Sequence, residues 1–103
     1  MPWKVIYFPK VTKFILKLSQ PLRMRVISNI DLIEIYGLSL RAPLSKKITN
    51  KVYELRIQGE NSMRILYSFQ KGKFFLLHIF RKKSQRLPQK EIKIALDRLK
   101  QII

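Results

Sequence analysis

The feature that most constrains the fold is a series of three strand patterns within residues 51–91. From Val52 to Gln58, mainly polar residues alternate with three apolar residues, Tyr53, Leu55 and Ile57. Alternation at period two predicts a strand with one apolar side and one polar side. We interpret the two patterns that follow as its neighbours in an antiparallel meander.

Tight turns separate these strands. Gly59-Glu60-Asn61 has turn-forming chemistry, and Met63 to Phe69 is expected to be the second strand. Gln70-Lys71-Gly72-Lys73 is typical of a hairpin turn, because Gly72 can adopt a positive φ angle. The third strand, Phe74 to Phe80, is an almost unbroken apolar run, which predicts a central strand covered on both faces.

The N-terminal half predicts one more strand and two helices. Trp3 to Phe8 is rich in β-branched and aromatic residues, so it is expected to be a strand. Apolar residues at i, i+3, i+4 and i+7 predict a short amphipathic helix from Lys10 to Leu18. A second helix is expected to be capped by Ser19 and to end at Tyr36, with Gly37 as its C-terminal stop.

A last helix follows the meander. Pro88 is expected to open it, and its apolar stripe consists of Ile92, Ala95, Leu96, Leu99 and Ile103. Residues 38–50 show no clear period and contain Pro43, so we interpret them as a connector. The element order is therefore β-α-α-β-β-β-α, an α+β fold in one domain, residues 1–103. The tight link between the first two helices predicts an antiparallel helical hairpin packed on a mainly antiparallel sheet.

The charge balance limits the partners of the chain. Its 103 residues contain 22 Lys and Arg against 6 Asp and Glu, a formal net charge of +16 that exceeds what solubility requires. The expected partner is a polyanion, namely RNA, DNA, an anionic membrane or an acidic protein. The membrane is the least favoured, because there is no strongly basic amphipathic helix and no apolar run of about eighteen residues.

The residue types point to a cytoplasmic protein. The absence of cysteine excludes disulfides and thiolate metal sites and is compatible with a reducing compartment. The first ten residues lack the pattern of a signal peptide. No phosphate-binding loop or zinc-ligand spacing occurs, His78 is the only histidine and the acids are scattered, so neither a metal nor a cofactor is expected.

The remaining chemistry is cationic. Arg56 and Arg64 fall on neighbouring strands, and a basic cluster begins at Arg81 where the third strand ends. These residues form either a cationic pocket on a rigid sheet or an ordinary solvated basic face, and the strand pattern favours neither interpretation.

A cationic pocket can cleave RNA without a metal, because RNA carries its own nucleophile, the 2′-hydroxyl, and cations stabilise the charged phosphorane. A base and an acid are also needed. Glu54, or a lysine whose pKa is lowered by cationic neighbours, is a candidate base, although a salt bridge to Arg56 or Arg64 is the better explanation of Glu54. His78 is a candidate acid, although a histidine in an apolar strand is more often a satisfied core residue.

Several segments in combination resemble one protein family. They are Lys51-Val52-Tyr53-Glu54-Leu55-Arg56, Met63-Arg64-Ile65-Leu66-Tyr67, Leu77-His78-Ile79-Phe80-Arg81-Lys82-Lys83-Ser84-Gln85, and Pro88 with Glu91-Ile92. Upstream, residues 31–37 look like the end of that family's second helix. The set and its order resemble the HigB-like branch of the RelE/ParE toxin superfamily.

The resemblance implies a toxin of a type II toxin–antitoxin system that arrests growth. Members of the RelE and HigB branches cut mRNA in the ribosomal A site without a metal. An antitoxin silences them, and in the HigB branch it is usually a helix-turn-helix protein, so operator DNA is implied as a partner only through the antitoxin. By residue match, the phosphate-facing cations are Arg56, Arg64, Lys82 and Lys83.

The predicted site therefore has two parts. The candidate catalytic residues are Arg56, Arg64, Lys82, Lys83, Glu54 and His78, and the expected RNA contacts are Lys46, Lys47, Lys51, Arg81 and Arg86. The chain departs from the family pattern at Leu87, where a threonine would cap the last helix at a gain of ~1 kcal/mol. Two alternatives stand beside the nuclease: a ParE-like, non-catalytic gyrase inhibitor, which does not need this set of cations, and a basic nucleic-acid-binding module.

Overall fold

The fold is taken from a computed structural model that describes residues 2–59 and 62–103. In chain order the elements are β1 (Val5–Tyr7), α1 (Pro9–Leu16), α2 (Gln20–Tyr36), β2 (Ser45–Lys47), β3 (Tyr53–Arg56), β4 (Met63–Gln70), β5 (Lys73–Arg81) and α3 (Gln89–Leu99). A single 3₁₀ turn, Gly37–Ser39, follows α2. The predicted α+β class is confirmed, with one strand more than expected.

The strands form one sheet in the order β1-β5-β4-β3-β2. β1 pairs with β5 in parallel, and every other neighbouring pair is antiparallel. The predicted meander is thus confirmed as β3-β4-β5, with strand ends that differ from the prediction by one or two residues. β5 lies between β1 and β4, as its apolar sequence predicted, and a bulge between Leu66 and Tyr67 leaves Leu77 without a partner in the register.

Both faces of the sheet carry a hydrophobic core. On one face, α1 and α2 pack on the sheet, and the main buried residues are Val11, Ile15, Val26, Ile30, Ile33, Leu55, Ile57, Met63, Ile65, Tyr67, Phe74, Leu76 and Ile79. On the other face lies α3, and the buried residues are Val52, Leu66, Leu77, Phe80, Ala95 and Leu99. The polar side of the first meander strand is therefore covered at Glu54, which is only 3% exposed, and is solvated at Arg56 and Gln58.

The ends of α2 follow the sequence signals. The Ser19 hydroxyl accepts a hydrogen bond from the Leu22 amide at 3.4 Å, as expected of an N-cap. Gly37 ends the helix with a φ of 53°. A β-carbon at this position would lie 2.4 Å from Nε1 of Trp3, so glycine is required both for its backbone angle and for the close approach of the indole.

The connector prediction for residues 38–50 is wrong in one respect, because the segment contains β2. This strand pairs with β3, and its Ser45 is buried with its hydroxyl 2.5 Å from the hydroxyl of Tyr67. Three residues are too few to show a period, so the strand is specified by its neighbours. No helix within the described ranges is long and apolar enough to cross a bilayer.

The structure confirms one predicted turn and corrects the predicted C-terminal end of the last helix. The hairpin between β4 and β5 has positive φ at Gly72, as predicted, and also at Lys71. Gly59 has a φ of 83°, whereas the other two residues of that predicted turn, 60 and 61, lie outside the described residues. The predicted stripe of α3 is wrong at Ile103, which is 52% exposed, because the chain turns after α3 and Ile102 packs on the core instead.

Candidate nucleic-acid interface

An open cleft of about 450 Å³ lies where β3 ends, β4 begins and β5 ends. Its lining, which defines the cationic cleft, consists of Arg56, Ser62, Arg64, Lys82, Lys83, Ser84 and Gln85. Four of these residues are cations, and no carboxylate is among the described residues that line it. The fold thus brings together four of the six candidate catalytic residues.

Two arginines face each other at the centre of this arrangement. Arg56 and Arg64 are directly opposite in the register of β3 and β4. Arg56 is exposed, whereas Arg64 is only 8% exposed. Like charges at opposed positions destabilise a sheet, and a bound anion would relieve their repulsion. Burial lowers the pKa of the Arg64 guanidinium, the Glu54 carboxylate opposes this shift, and Arg56 adds to it.

Glu54 lies beneath the cleft rather than in its lining. Its Oε2 is 3.7 Å from Nε of Arg64, and the two side chains are 4% and 10% exposed. The cross-strand salt bridge that the sequence favoured for Glu54 is therefore present, with Arg64 as the partner. Nη1 of Arg64 also donates to the carbonyl oxygen of Met63 at 3.0 Å. These contacts hold the guanidinium in one orientation.

Two loops border the cationic cleft. Ser62 belongs to the β3–β4 loop, and residues 82–88 connect β5 to α3. The amide of Lys82 donates to the carbonyl oxygen of Ser62 at 2.5 Å, so the two loops are joined at the cleft. Within the second loop, the Ser84 hydroxyl donates to the carbonyl oxygen of Arg86 at 2.8 Å.

Helix α2 holds the β3–β4 loop from the other face of the sheet. Asn29, which is buried, accepts a hydrogen bond from the Gln58 amide at 3.0 Å through its Oδ1. Nη1 of Arg25 donates to the carbonyl oxygen of Gly59 at 2.6 Å. The position of this border of the cleft is therefore set by residues about thirty positions earlier in the chain, which strand patterns alone do not reveal.

His78 lies away from the cleft, between β5 and α3. Its Nε2 is 2.8 Å from Oε1 of Glu91, and its Nδ1 is 3.4 Å from Nη1 of Arg98. The ring stacks on Phe80 with centroids 5.2 Å apart. Burial lowers the pKa of His78, and this effect exceeds the opposite influence of the hydrogen bond and charge of Glu91. The neutral imidazole is therefore favoured.

The expected RNA contacts are dispersed and do not line the cleft. Lys46 and Lys47 border a separate depression of about 480 Å³ beside β2, and Lys51 lies in a groove along α3. Arg81 and Arg86 are exposed. Arg81 pairs with Met63, a residue of the α1–α2 core, so strand alternation directs it to the face opposite Arg64.

Three lining residues were not predicted to be part of the site, namely Ser62, Ser84 and Gln85. Hydroxyl and amide groups are the kinds of donor that bind phosphate oxygens, and in this structure the Ser84 hydroxyl donates to the carbonyl oxygen of Arg86. The only sequence signal for two of them is their position directly after Lys82-Lys83. Elsewhere in the described chain, no group of three His, Asp or Glu side chains is placed to hold a metal ion.

The architecture is that of the RelE toxins. A mutant of the E. coli toxin RelE in the free state matches with a TM-score of 0.67 and 10% identity, each chain being covered in full. The RelE–RelB complex from the archaeon Pyrococcus horikoshii matches at 0.61 and 17% identity, over 84% of this chain and 100% of the other. The isolated E. coli RelE toxin matches at 0.60 and 13% identity, over 98% and 99%.

The sequence comparison supplies the family. The model of the family described as "Phage derived protein Gp49-like (DUF891)" matches residues 13–100, so the chain belongs to the Gp49-like family. No curated protein matches the chain by sequence. The family and the fold together support the RelE/ParE superfamily, in agreement with the resemblance found in the sequence.

Proposed function

We propose that this protein is the toxin of a type II toxin–antitoxin system, of the HigB-like branch, and that it is a metal-independent endoribonuclease that cleaves mRNA on the ribosome. One observation carries the proposal: Arg56 and Arg64 face each other across two strands, and Lys82 and Lys83 line the same cleft. Two cations on a rigid sheet and two on the adjoining loop are suited to a phosphate group whose charge increases during reaction.

The proposed reaction uses the nucleophile of the substrate. The 2′-hydroxyl of the ribose loses its proton to solvent as its oxygen bonds to the adjacent phosphorus. The bond from phosphorus to the 5′-oxygen breaks, and the departing 5′-oxygen takes up a proton from solvent, which leaves a 2′,3′-cyclic phosphate and a 5′-hydroxyl end. In the intermediate phosphorane, negative charge accumulates on the non-bridging oxygens. The guanidinium and ammonium groups of the cationic cleft stabilise that charge, and the side-chain amide of Gln85, which also lines the cleft, can donate a hydrogen bond to the same oxygens.

Glu54 is reassigned within this proposal. A general base has to reach the proton that it removes, and Glu54 is 3% exposed and outside the lining of the cleft. Its contact with Arg64 suits a different task. We assign it the role of a fixed counter-charge that orients the Arg64 guanidinium.

The partners follow from the same charge distribution. A net charge of +16 suits ribosomal RNA, which would be bound mostly through phosphates, and mRNA in the cleft. It also suits an acidic segment of a cognate antitoxin lying over the cationic face. The RelE–RelB complex, which shares the fold, is a precedent for such a pairing. We propose that the antitoxin is of the helix-turn-helix type, that contact with operator DNA occurs only through it, and that the toxin acts in the cytoplasm.

The test is induced expression without a partner, followed by growth measurement and mapping of mRNA 5′ ends. The wild type should arrest growth and create new 5′ ends. Arg56→Ala should abolish both, because losing one cation aimed at developing charge lowers the rate about a hundred- to a thousandfold. Arg41→Ala is the matched control, since Arg41 is also an exposed arginine but lies in the depression beside β2.

The outcomes separate the candidate functions. Growth arrest without new 5′ ends, accompanied by inhibition of gyrase, would replace the nuclease with a ParE-like inhibitor. Absence of arrest together with binding to RNA would leave a nucleic-acid-binding module. Equal loss of activity in Arg56→Ala and Arg41→Ala would show that the cations act only as a diffuse surface.

A further inference from the structure

We propose that His78 and Glu91 form a clamp that holds residues 82–88 in position, and that through this loop they set the placement of Lys82 and Lys83 in the cationic cleft. His78 is then a positioning residue rather than the acid of the reaction. The clamp itself is inferred from geometry alone. Its effect on catalysis rests on the function proposed above.

The loop needs an anchor at each end. Residues 82–88 contain no helix or strand. At the first end, the Lys82 amide is bonded to the Ser62 carbonyl oxygen across the cleft. At the other end the loop leads into α3. The position of the first turn of α3 on the sheet therefore determines the course of the loop. Contacts between the first turn of α3 and β5 are therefore the second anchor.

The start of α3 lacks the usual helix cap. Pro88 occupies the N-cap position and makes no side-chain capping bond. Glu91 is the third residue of the first turn, where a glutamate commonly bonds back to the N–H of the capping residue. Proline has no N–H to offer. The Glu91 carboxylate instead reaches Nε2 of His78 at 2.8 Å, which ties the helix start to β5.

The second imidazole nitrogen fixes the tautomer. Nη1 of Arg98 lies 3.4 Å from Nδ1 of His78 and donates to the carbonyl oxygen of Leu77 at 2.7 Å. A guanidinium can only donate, so Nδ1 is the acceptor and the proton lies on Nε2, which donates to Glu91. The lowered pKa of His78 agrees with this neutral form.

The same contacts argue against proton transfer by His78. Both ring nitrogens are engaged by residues of α3, and its side chain and that of Glu91 are each only 13% exposed. Phe80 covers the ring, and Leu66 is opposite His78 in the register of β4. The hydrogen-bond and ring partners of the imidazole are Glu91, Arg98 and Phe80, and none of these three residues lines the cleft. Its link to the site is the four-residue path along β5 to Lys82.

Amide hydrogen exchange in the isolated protein tests the clamp without any activity, read at Lys82, whose N–H is bonded to the Ser62 carbonyl oxygen, and at Ile92, whose N–H is bonded to the Pro88 carbonyl oxygen. A hydrogen bond to a charged group contributes about 1.5–3 kcal/mol, so Glu91→Ala should accelerate exchange of these two amides about ten- to a hundredfold. Glu91→Gln retains an acceptor for the Nε2 proton and should restore slow exchange. Asp97→Ala is the control, because it removes an acid from the same helix and breaks only the exposed pair with Lys93.

Cleavage kinetics on ribosomes then test the positioning role. A displacement of about 1 Å can lower a rate about a hundredfold, so Glu91→Ala should lower kcat about ten- to a hundredfold. KM should be unchanged because the cations that bind RNA remain. Glu91→Gln should restore kcat. If Glu91→Ala fails to fold, Glu91→Asp, which is shorter by one methylene, replaces it in both measurements.

The outcomes are separable. Unchanged amide exchange in Glu91→Ala, or in Glu91→Asp where that variant replaces it, overturns the clamp. Faster exchange with unchanged kcat, in a protein whose Arg56→Ala variant is inactive, overturns the positioning role. If the wild type does not cleave RNA at all, the proposed function fails, while the exchange measurement still decides whether the clamp exists.

Discussion

Replacing Arg64 with alanine should destabilise the protein severely, independently of any catalytic effect. The substitution removes the guanidinium 3.7 Å from the carboxylate of Glu54, a residue that is 3% exposed. Removing one partner of a buried ion pair costs about 3–5 kcal/mol, because the remaining charge stays buried without compensation. Domains of this size unfold with about 5–15 kcal/mol in total. At about 4–8 °C per kcal/mol, the melting temperature should fall by at least about 12 °C.

This loss complicates the reading of the activity of Arg64→Ala, because an unfolded variant is also inactive. The double variant Glu54→Gln/Arg64→Ala removes the buried charge together with its partner. We expect it to regain most of the lost melting temperature while remaining inactive, since the cleft still lacks its buried cation. Arg56→Ala should melt within a few degrees of the wild type, because Arg56 is exposed and surface substitutions cost about 0.5 kcal/mol or less.

Thermal melts followed by circular dichroism and mapping of mRNA 5′ ends on the same preparations provide the assay. Glu54→Gln alone removes the counter-charge of Arg64, so it should lower the melting temperature, and it should retain part of the cleavage because the Arg64 guanidinium remains. A wild-type melting temperature for Arg64→Ala would refute the buried pair. If the double variant melts no higher than Arg64→Ala, the destabilisation does not come from the charge of Glu54. If Glu54→Gln abolishes cleavage while its melting temperature equals that of the wild type, the carboxylate acts in the reaction itself and not through Arg64.

Three further predictions concern binding, packing and pH. Co-sedimentation with ribosomes should fall steeply as salt rises, because phosphate contacts release counterions, and binding that is insensitive to salt would contradict this. Ile33→Asp should abolish cooperative melting because Ile33 is fully buried, whereas Ile35→Asp on the 63% exposed Ile35 should melt near the wild type. Burial lowers the pKa of His78, which faces Glu91 and Arg98, so the unfolded state binds the proton more readily than the folded state. The free energy of unfolding should therefore decline as the pH falls below the ordinary histidine pKa of 6.5, which a series of urea midpoints measures. If His78→Gln shows the same decline, another group causes it.

Local signals in the sequence determined most of the secondary structure. The period-two pattern before Gly59 and the hairpin signal at Gly72 predicted the meander. Ser19 and Gly37 marked the two ends of α2. Both kinds of signal can be found in the sequence because caps and turns depend on a few adjacent residues. The resemblance to a known family selected the four cations of the cleft, whereas the strand pattern alone favoured neither a pocket nor a solvated basic face.

Tertiary structure decided what no local pattern encodes. β2 exists because it pairs with β3 and because Ser45 meets Tyr67, 22 residues away. Strand register placed Arg56 opposite Arg64, and the second core under α3 buried Glu54 beside Arg64. Strand patterns by themselves did not single out the four cleft cations, and nothing in the sequence gave His78 its partner on α3. These outcomes depend on contacts between residues distant in the chain, whose formation requires the whole sheet to be assembled.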